Sequence, residues 1–238
     1  MTNRSAASPA SRLDPLANLF RLFAPPRTAA FDVNGKQSMT HHTDKDYAGA
    51  KLGMWLFLFT ELLLFGGLFL LYAVYLKRYP QEFAAGGKQL DWTMGTANTV
   101  ILLTSSLCAA MAVSAVQRAE LRRAMGLIGG TVLCAAGFMA IKYIEWSTKI
   151  GHGIYPGSAH LKAGAPGESV FFSLYFMTTG IHGLHVVIGM GLMTWIAAKI
   201  KSGAVTADDY ILLENGALYW HLVDLIWIFI FPLYYLIL

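Results

Sequence analysis

The sequence is poor in charge and almost free of cysteine. Charged residues occupy 13% of its 238 positions, roughly half the share usual in soluble domains, while 55% are hydrophobic. The two cysteines, Cys108 and Cys134, both fall inside apolar runs, where free cysteine behaves as a small packing residue. No CxxC pair occurs, so the sequence predicts neither a disulfide framework nor a cysteine-based metal centre.

Several motifs of soluble enzymes are absent as well. The chain has no GxxxxGK[ST] phosphate-binding loop, no GxGxxG dinucleotide fingerprint and no GxSxG nucleophile elbow. Nucleotide-binding and hydrolase functions therefore lose their usual support. No glutamate is followed by histidine at the third place, which argues against the paired ExxH motifs of di-iron bundles.

Long apolar runs are the main feature that the sequence does have. A helix needs about 20 apolar residues to cross a hydrocarbon core, and a segment in lipid must satisfy its own backbone hydrogen bonds. The sequence therefore predicts an all-α, polytopic membrane protein with five transmembrane helices. The five runs lie at about residues 52–76, 94–116, 124–146, 169–197 and 216–238.

The N-terminal segment differs from the rest of the chain. Residues 1–48 are rich in Ala, Ser, Pro and Arg, and we expect them to form a polar, flexible arm. Within the arm, "LANLFRLF" (residues 16–23) could form a short helix on the surface of a membrane or a partner. Residues 49–238 then form the membrane domain.

Lysine and arginine are distributed unequally between the two sides of the predicted bundle. Twelve lie in the arm, at the start of the first run and in the second and fourth loops, whereas five lie on the opposite side. Because basic loops stay in the cytoplasm, this distribution predicts a cytoplasmic N-terminus and a periplasmic C-terminus. The net charge of +4 follows from this topology, and nothing indicates nucleic-acid binding.

Ionisable residues at membrane depth are costly and usually face the interior of a helical bundle. Glu61 lies near the middle of the first run, where no residue on the same helix can neutralise it. Two roles stay open for it, an interhelical hydrogen bond made by the protonated acid and direct proton handling. The residues of this kind are Glu61, Lys142, Glu145, His182, His185, His221 and Asp224.

Six of these residues form pairs three positions apart, so each pair shares one helical face. A pair at the end of the third run is expected to form an ion pair that anchors the helix, unless its lysine extends to the interface. Neighbouring glycines favour close helix packing over a haem or metal pocket at the histidines. The pairs are Lys142 with Glu145, His182 with His185, and His221 with Asp224.

Four segments, in this order, resemble subunit III of the haem–copper respiratory oxidases. "WLFLFTELLLFGGLF" (55–69) resembles the family's helix with a buried glutamate, and "IKYIEW" (141–146) resembles its aromatic–Glu helix end. "SLYFMTTGIHGLHVVIG" (173–189) is similar to the signature TGFHGLHVxxG, and "YWHLVDLIWIFIFPLYYL" (219–236) is similar to the family's C-terminal segment. The resemblance extends from about Gly49 to the end of the chain.

The resemblance implies a non-catalytic subunit of an aerobic terminal oxidase, which reduces oxygen and translocates protons. Haem and copper are then expected in subunit I, with no cofactor, redox centre or catalytic residue in this chain. The implied partners are subunits I and II and membrane lipids, with phospholipid bound in a cleft and support for proton uptake and turnover stability. The residues that match the family's interior polar positions are Glu61, Glu145, His182, His185, His221 and Asp224.

The chain departs from the mitochondrial type in helix number. Five helices in place of seven resemble the short bacterial form, which implies a bacterial inner membrane and removes one wall of the lipid cleft. The short form also occurs in quinol oxidases, so both cytochrome c and quinol stay open as electron donors. Two alternatives are a NorE-type accessory protein of a nitric-oxide reductase and a self-standing membrane haem protein.

Overall fold

A computed structural model describes residues 47–236 of the chain, and these residues contain no β-strand. The predicted arm lies outside the described residues, apart from its last two positions. The elements are α1 (Tyr47–Arg78), α2 (Pro80–Lys88), α3 (Trp92–Gln117), α4 (Leu121–Gly151), α5 (Ala159–Ala163), α6 (Pro166–Lys201), α7 (Ile211–Phe231) and a C-terminal π-helical turn (Pro232–Leu236).

Five of these elements are long and apolar enough to cross a membrane, as the sequence predicts. They are α1, α3, α4, α6 and the continuous segment formed by α7 and the π-helical turn. The all-α prediction with five membrane-length helices is thereby confirmed. The helices extend beyond the apolar runs because polar residues continue them, as at the end of α6, where Lys199 and Lys201 complement the helix dipole.

The short helices occupy one end of the bundle. A nine-residue helix, α2, packs against α6 through two glycines, because a side chain at Gly86 would overlap Phe171 and one at Gly167 would lie 2.7 Å from the Tyr79 Cβ. The next helix, α3, is capped by Asp91, which accepts from the Thr93 amide at 2.9 Å and the Thr93 hydroxyl at 2.5 Å. The Thr93 hydroxyl lowers the pKa of Asp91 below its ordinary value.

Helix α7 lies at the centre of the bundle. It packs against α1, α3 and α6, while α4 closes the remaining side through α3 and α6. Glycines permit a close approach of α6 and α7, because a Cβ at Gly189 on α6 would lie 2.7 Å from the Trp220 ring and one at Gly216 on α7 would overlap the Ile196 side chain. By contrast, a Cβ at Gly66 or Gly67 on α1 would have no neighbouring atom within 4 Å, so these glycines bring no other described helix close.

Candidate functional site

The first polar cluster surrounds Lys142 on α4. Its ammonium group donates to Glu145 Oε2 at 2.8 Å, to the Tyr175 hydroxyl at 3.1 Å and to the Tyr235 hydroxyl at 2.8 Å. The Tyr235 hydroxyl in turn donates to Glu145 Oε1 at 2.7 Å. The side chains of Lys142 and Glu145 are only 7% and 3% exposed. The ion pair therefore lies in the protein interior, with every ammonium hydrogen satisfied, and does not extend to an interface.

The tyrosine partners of Lys142 were not predicted from the sequence; one of them, Tyr175, lies on α6, and the other lies in the π-helical turn. Pro232 has no amide hydrogen, which interrupts the α-helical hydrogen-bond pattern and leaves the wider turn that follows. Tyr235 in this turn points to Lys142, and Tyr234 bonds to the Thr178 hydroxyl at 3.0 Å. Two adjacent tyrosines, the first of them two residues after a proline within an apolar run, are the sequence signal for this arrangement.

The second polar contact joins α1 to α6. Glu61 Oε2 lies 2.8 Å from His185 Nε2, and the two side chains are 15% and 13% exposed. His185 Nδ1 lies 2.8 Å from the Ile181 carbonyl oxygen, one turn earlier on the same helix. The Phe65 ring packs edge-on against the imidazole at 5.4 Å. Glu61 thus meets His185 and not His182.

His182 has different surroundings from His185. It is 0% exposed and lies among the rings of Phe65, Phe138 and Trp227, with centroids 6.4, 5.6 and 5.4 Å away. Neither of its ring nitrogens hydrogen-bonds to any described residue. Although His182 and His185 lie on one face of α6, His185 contacts α1 and His182 is enclosed by aromatic rings.

The third polar region lies between α3 and α7. His221 Nδ1 lies 2.7 Å from the Ser106 hydroxyl, and no hydrogen bond joins His221 to Asp224. Asp224 is 3% exposed. The Ser106 hydroxyl lies nearby, but neither carboxyl oxygen of Asp224 makes a hydrogen bond of normal geometry. Trp220 donates to the Ser105 hydroxyl at 2.7 Å, which is a further contact that the sequence did not predict.

The bundle also has an apolar groove between α1 and α7. Its volume is about 240 Å³, and it lies within one turn of Glu61 along α1, since Leu62 and Phe65 form part of its wall. Its other lining residues are Phe65, Gly66, Phe69, Leu222, Leu225, Ile226 and Phe229. A groove of this composition suits a hydrocarbon chain. Among residues 47–236, no group of three or more His, Cys, Asp or Glu side chains is arranged to hold a metal ion.

These contacts stabilise charged groups and can bind protons inside the bundle. The Lys142 cluster compensates one positive and one negative charge, and the Glu61–His185 pair can share a proton across two helices. Lys142 thus pairs with Glu145, and Glu61 pairs with His185. His182, His221 and Asp224 take part in neither pair.

Comparison with known proteins gives one consistent match. The family described as cytochrome c oxidase subunit III matches residues 31–237. Quinol oxidase subunit 3 of Bacillus subtilis is 32% identical over 189 residues, covering 78% of this chain and 85% of that protein. Cytochrome c oxidase subunit 3 of Thermostichus vulcanus is 29% identical over 187 residues, covering 78% and 86%.

A fused relative has a different architecture. The haem–copper oxidase subunit I+III of Aeropyrum pernix is 29% identical over 192 residues. The match covers 77% of this chain but only 22% of that protein. In that relative, a subunit III-like segment is thus part of the same polypeptide as subunit I.

Proposed function

Because the chain belongs to the cytochrome c oxidase subunit III family, we propose that it is the non-catalytic third subunit of a respiratory haem–copper oxidase. The family match over residues 31–237 is the observation that carries this proposal. The oxidase would reduce oxygen and translocate protons, with its haem and copper in subunit I. The chain would lie in a bacterial inner membrane as a multi-pass protein.

Subunit I is the proposed direct partner. The fusion of subunits I and III in the Aeropyrum pernix relative supports this pairing, because fused segments commonly remain neighbours in the assembled protein. The exposed apolar side chains of α1, including Trp55 and Phe59 at 61% each, provide surface for such a partner or for lipid. Subunit II completes the proposed complex.

The polar interior is proposed to support the oxidase in two ways. The Lys142–Glu145 pair would hold the ends of α4, α6 and α7 together, which favours retention of the subunit during turnover. The Glu61–His185 pair would contribute to proton uptake, since it lies at membrane depth and is partly exposed. The groove beside Glu61 would hold a phospholipid acyl chain.

The proposed orientation places the N-terminus in the cytoplasm and the C-terminus in the periplasm. It rests on the excess of twelve basic residues over five. A periplasm-dependent reporter fused after the last residue should be active, and a cytoplasm-dependent reporter fused there should not. The reverse pattern would contradict the orientation.

Co-purification tests the proposed function. An affinity tag on this chain, expressed from the native locus, should retain a membrane protein that carries haem and copper and consumes oxygen. Reduced cytochrome c and quinol, supplied separately, then identify the electron donor, because the two named relatives differ in it. A deletion strain complemented with the tagged chain is the control for tag effects.

Two outcomes would contradict the proposal. Retention of a complex that reduces nitric oxide and not oxygen would favour the accessory-protein alternative. A Soret band in the purified chain without any partner would favour the self-standing haem protein. The first measurement uses the co-purified complex and the second uses the chain without its partners, so together they separate the three functions.

A further inference from the structure

The turn between α3 and α4 collects positive charge that the protein does not neutralise. Arg118 follows the last residue of α3, and Arg122 and Arg123 lie in the first turn of α4, where the helix dipole does not stabilise a cation. Glu120, the acidic residue of the turn, pairs with Arg123 at 3.0 Å. Within residues 47–236, neither Arg118 nor Arg122 makes an ion pair or a side-chain hydrogen bond. Three arginines against one glutamate leave the turn with a net charge of +2.

A pocket lies directly beside these arginines. Its volume is about 210 Å³, and Arg118 and Arg123 form part of its wall. Ser114 also lines it, with a hydroxyl that makes no hydrogen bond to another described residue. Guanidinium and hydroxyl groups donate to phosphate oxygens, and one guanidinium can bind two such oxygens at once. The pocket therefore suits a phosphodiester group. Its other lining residues are Met111, Ala115 and Glu120.

An apolar stripe on α3 ends at this pocket. Leu103, Leu107 and Met111 are 49%, 59% and 38% exposed and recur every fourth residue, so they share one face of the helix. Met111 also lines the pocket, and Arg118 follows on the same face two turns later. From Leu103 to Arg118 the helix rises roughly 22 Å, which is about half the thickness of a bilayer with its headgroups. The surface thus matches both parts of a phospholipid, an apolar chain at membrane depth and a phosphate at its end.

Charge discriminates among the candidate ligands. A zwitterionic phospholipid brings a cation together with its phosphate, and this cation opposes the attraction to a basic turn. An anionic phospholipid brings the phosphate without a cation, and basic pockets between membrane helices are typical sites for such headgroups. An acidic protein segment would match the charge of the turn but not the apolar stripe.

We infer that the turn between α3 and α4 binds an anionic phospholipid, with its phosphodiester between Arg118 and Arg123 and an acyl chain along the apolar stripe. Glu120 weakens the site, because it occupies Arg123 and adds a negative charge to the pocket. The site is separate from the groove beside Glu61, with which it shares no lining residue. The inference does not rest on the oxidase assignment.

Native mass spectrometry of the full-length chain in detergent micelles tests the site. The affinity for the first bound phosphatidylglycerol is compared with that for phosphatidylcholine of the same acyl chains. One uncompensated arginine is worth about fivefold in affinity for an anionic lipid, so phosphatidylglycerol should bind about fivefold more tightly. Arg118→Gln should remove this preference. Lys201→Gln is the matched control, because Lys201 is an exposed cation at the same end of the bundle but outside the pocket, and it should leave the preference unchanged.

Glu120→Gln should act in the opposite direction. It frees Arg123 and removes a negative charge from the pocket, so the preference for phosphatidylglycerol should rise by about a further fivefold. The Glu120 side chain does not cap α4, so the start of the helix should be unaffected. A variant that only damaged the turn would lower the preference, which would contradict the role given to Glu120.

Two further ligands identify what is recognised. Phosphatidylethanolamine should bind as weakly as phosphatidylcholine, because it also carries a cation. Glycerophosphoglycerol, the headgroup without acyl chains, should not displace phosphatidylglycerol at equal concentration, because it makes no contact with the apolar stripe. Displacement by this headgroup would overturn the inference in favour of a soluble anion.

Two other outcomes would also overturn the inference. One is equal affinity for phosphatidylglycerol and phosphatidylcholine, or an unchanged preference in Arg118→Gln. The other is the loss of a co-purified protein in Arg118→Gln without any lipid preference, which would assign the turn to an acidic protein partner. Because the lipid measurements use the isolated chain, their failure is distinguishable from failure of the proposed function.

Discussion

Helices α1 and α7 show that hydropathy and burial are different properties in a membrane protein. The most apolar window of α1 has a mean hydropathy of 2.1 with 11% of its residues buried, while that of α7 and its π-helical turn has 1.6 with 56% buried. Lipid is as apolar as leucine, so an apolar helix gains nothing by turning inward. The less apolar helix lies at the centre because its large aromatic and polar side chains find partners there.

The two helices are also held by different interactions. Helix α1 buries only Leu58, Phe65 and Tyr72, which are spaced seven residues apart along one seam. Polar contacts reinforce this seam along its length, from the ion pair of Lys51 with Glu214 through Glu61 to the hydrogen bond of Tyr72 with the Leu233 carbonyl. Helix α7 is held by close packing around Trp220 and Trp227, both 0% exposed, and each of these indole groups also donates a hydrogen bond to a hydroxyl on α3.

The largest effect is expected where a buried charge would lose its partner. Glu145→Ala leaves the Lys142 ammonium without its counter-ion, and breaking a buried pair in this way costs about 3–5 kcal/mol. Thermal unfolding of the chain in bilayers, followed by circular dichroism, should show a large decrease in stability. Glu120→Ala, which removes an exposed pair, is the control and should have little effect. Equal effects of the two variants would contradict the structural importance of the cluster.

The second-largest loss of stability is expected from a packing defect at the centre of the bundle. Trp220→Ala removes the ring that Gly189 accommodates and the hydrogen bond to Ser105. We expect a loss of about 3 kcal/mol, at the lower end of the range for such truncations, because lipid supplies no hydrophobic term. Trp195→Ala on α6 is the matched control, since Trp195 is 48% exposed. If the control were equally destabilising, packing would not distinguish α7.

The contact between α1 and α6 should contribute less. Glu61→Ala leaves His185 without its partner and should cost about 1–2 kcal/mol, whereas Glu61→Gln retains size and hydrogen bonding and should be mild. In the proposed complex, we expect Glu61→Ala to weaken subunit retention or shorten the number of turnovers before activity decays. Subunit stoichiometry and oxygen consumption to exhaustion measure these two effects.

The haem spectrum provides the control for Glu61. Both variants should leave it unchanged, because the proposed redox centres lie in subunit I. An altered haem spectrum in Glu61→Gln, with the subunit fully retained, would show that this residue reaches the redox chemistry.

The smallest effect is expected at the exposed end of α1. Lys51 and Glu214 form a pair at 3.0 Å, with side chains 48% and 32% exposed. Lys51→Met should change stability by about 0–1 kcal/mol, and the difference should shrink at high salt. Unfolding of both proteins at low and high salt measures it. A large, salt-independent loss would mean that this end of α1 is held as firmly as α7.

Local features of the chain could be predicted because they depend on neighbouring residues. The lengths of the apolar runs, together with the need for each segment in lipid to satisfy its own backbone hydrogen bonds, were enough to predict five helices. The three-residue spacing was sufficient to expect Lys142 and Glu145 on one face. The tyrosines that complete this cluster come from 33 and 93 residues away, so no local pattern relates them to Lys142.

The sequence by itself determined the class, the number of membrane-length helices and the identity of the polar residues at membrane depth. Only the tertiary structure decided which of these residues meet. His182 and His185 share a face, so the rotation and position of α6 against α1 select His185 for Glu61 and leave His182 among aromatic rings. His221 likewise bonds to Ser106, because α3 offers a hydroxyl at 2.7 Å. Interhelical rotation depends on packing along the whole interface, and in lipid the apolar pattern of a helix does not specify it.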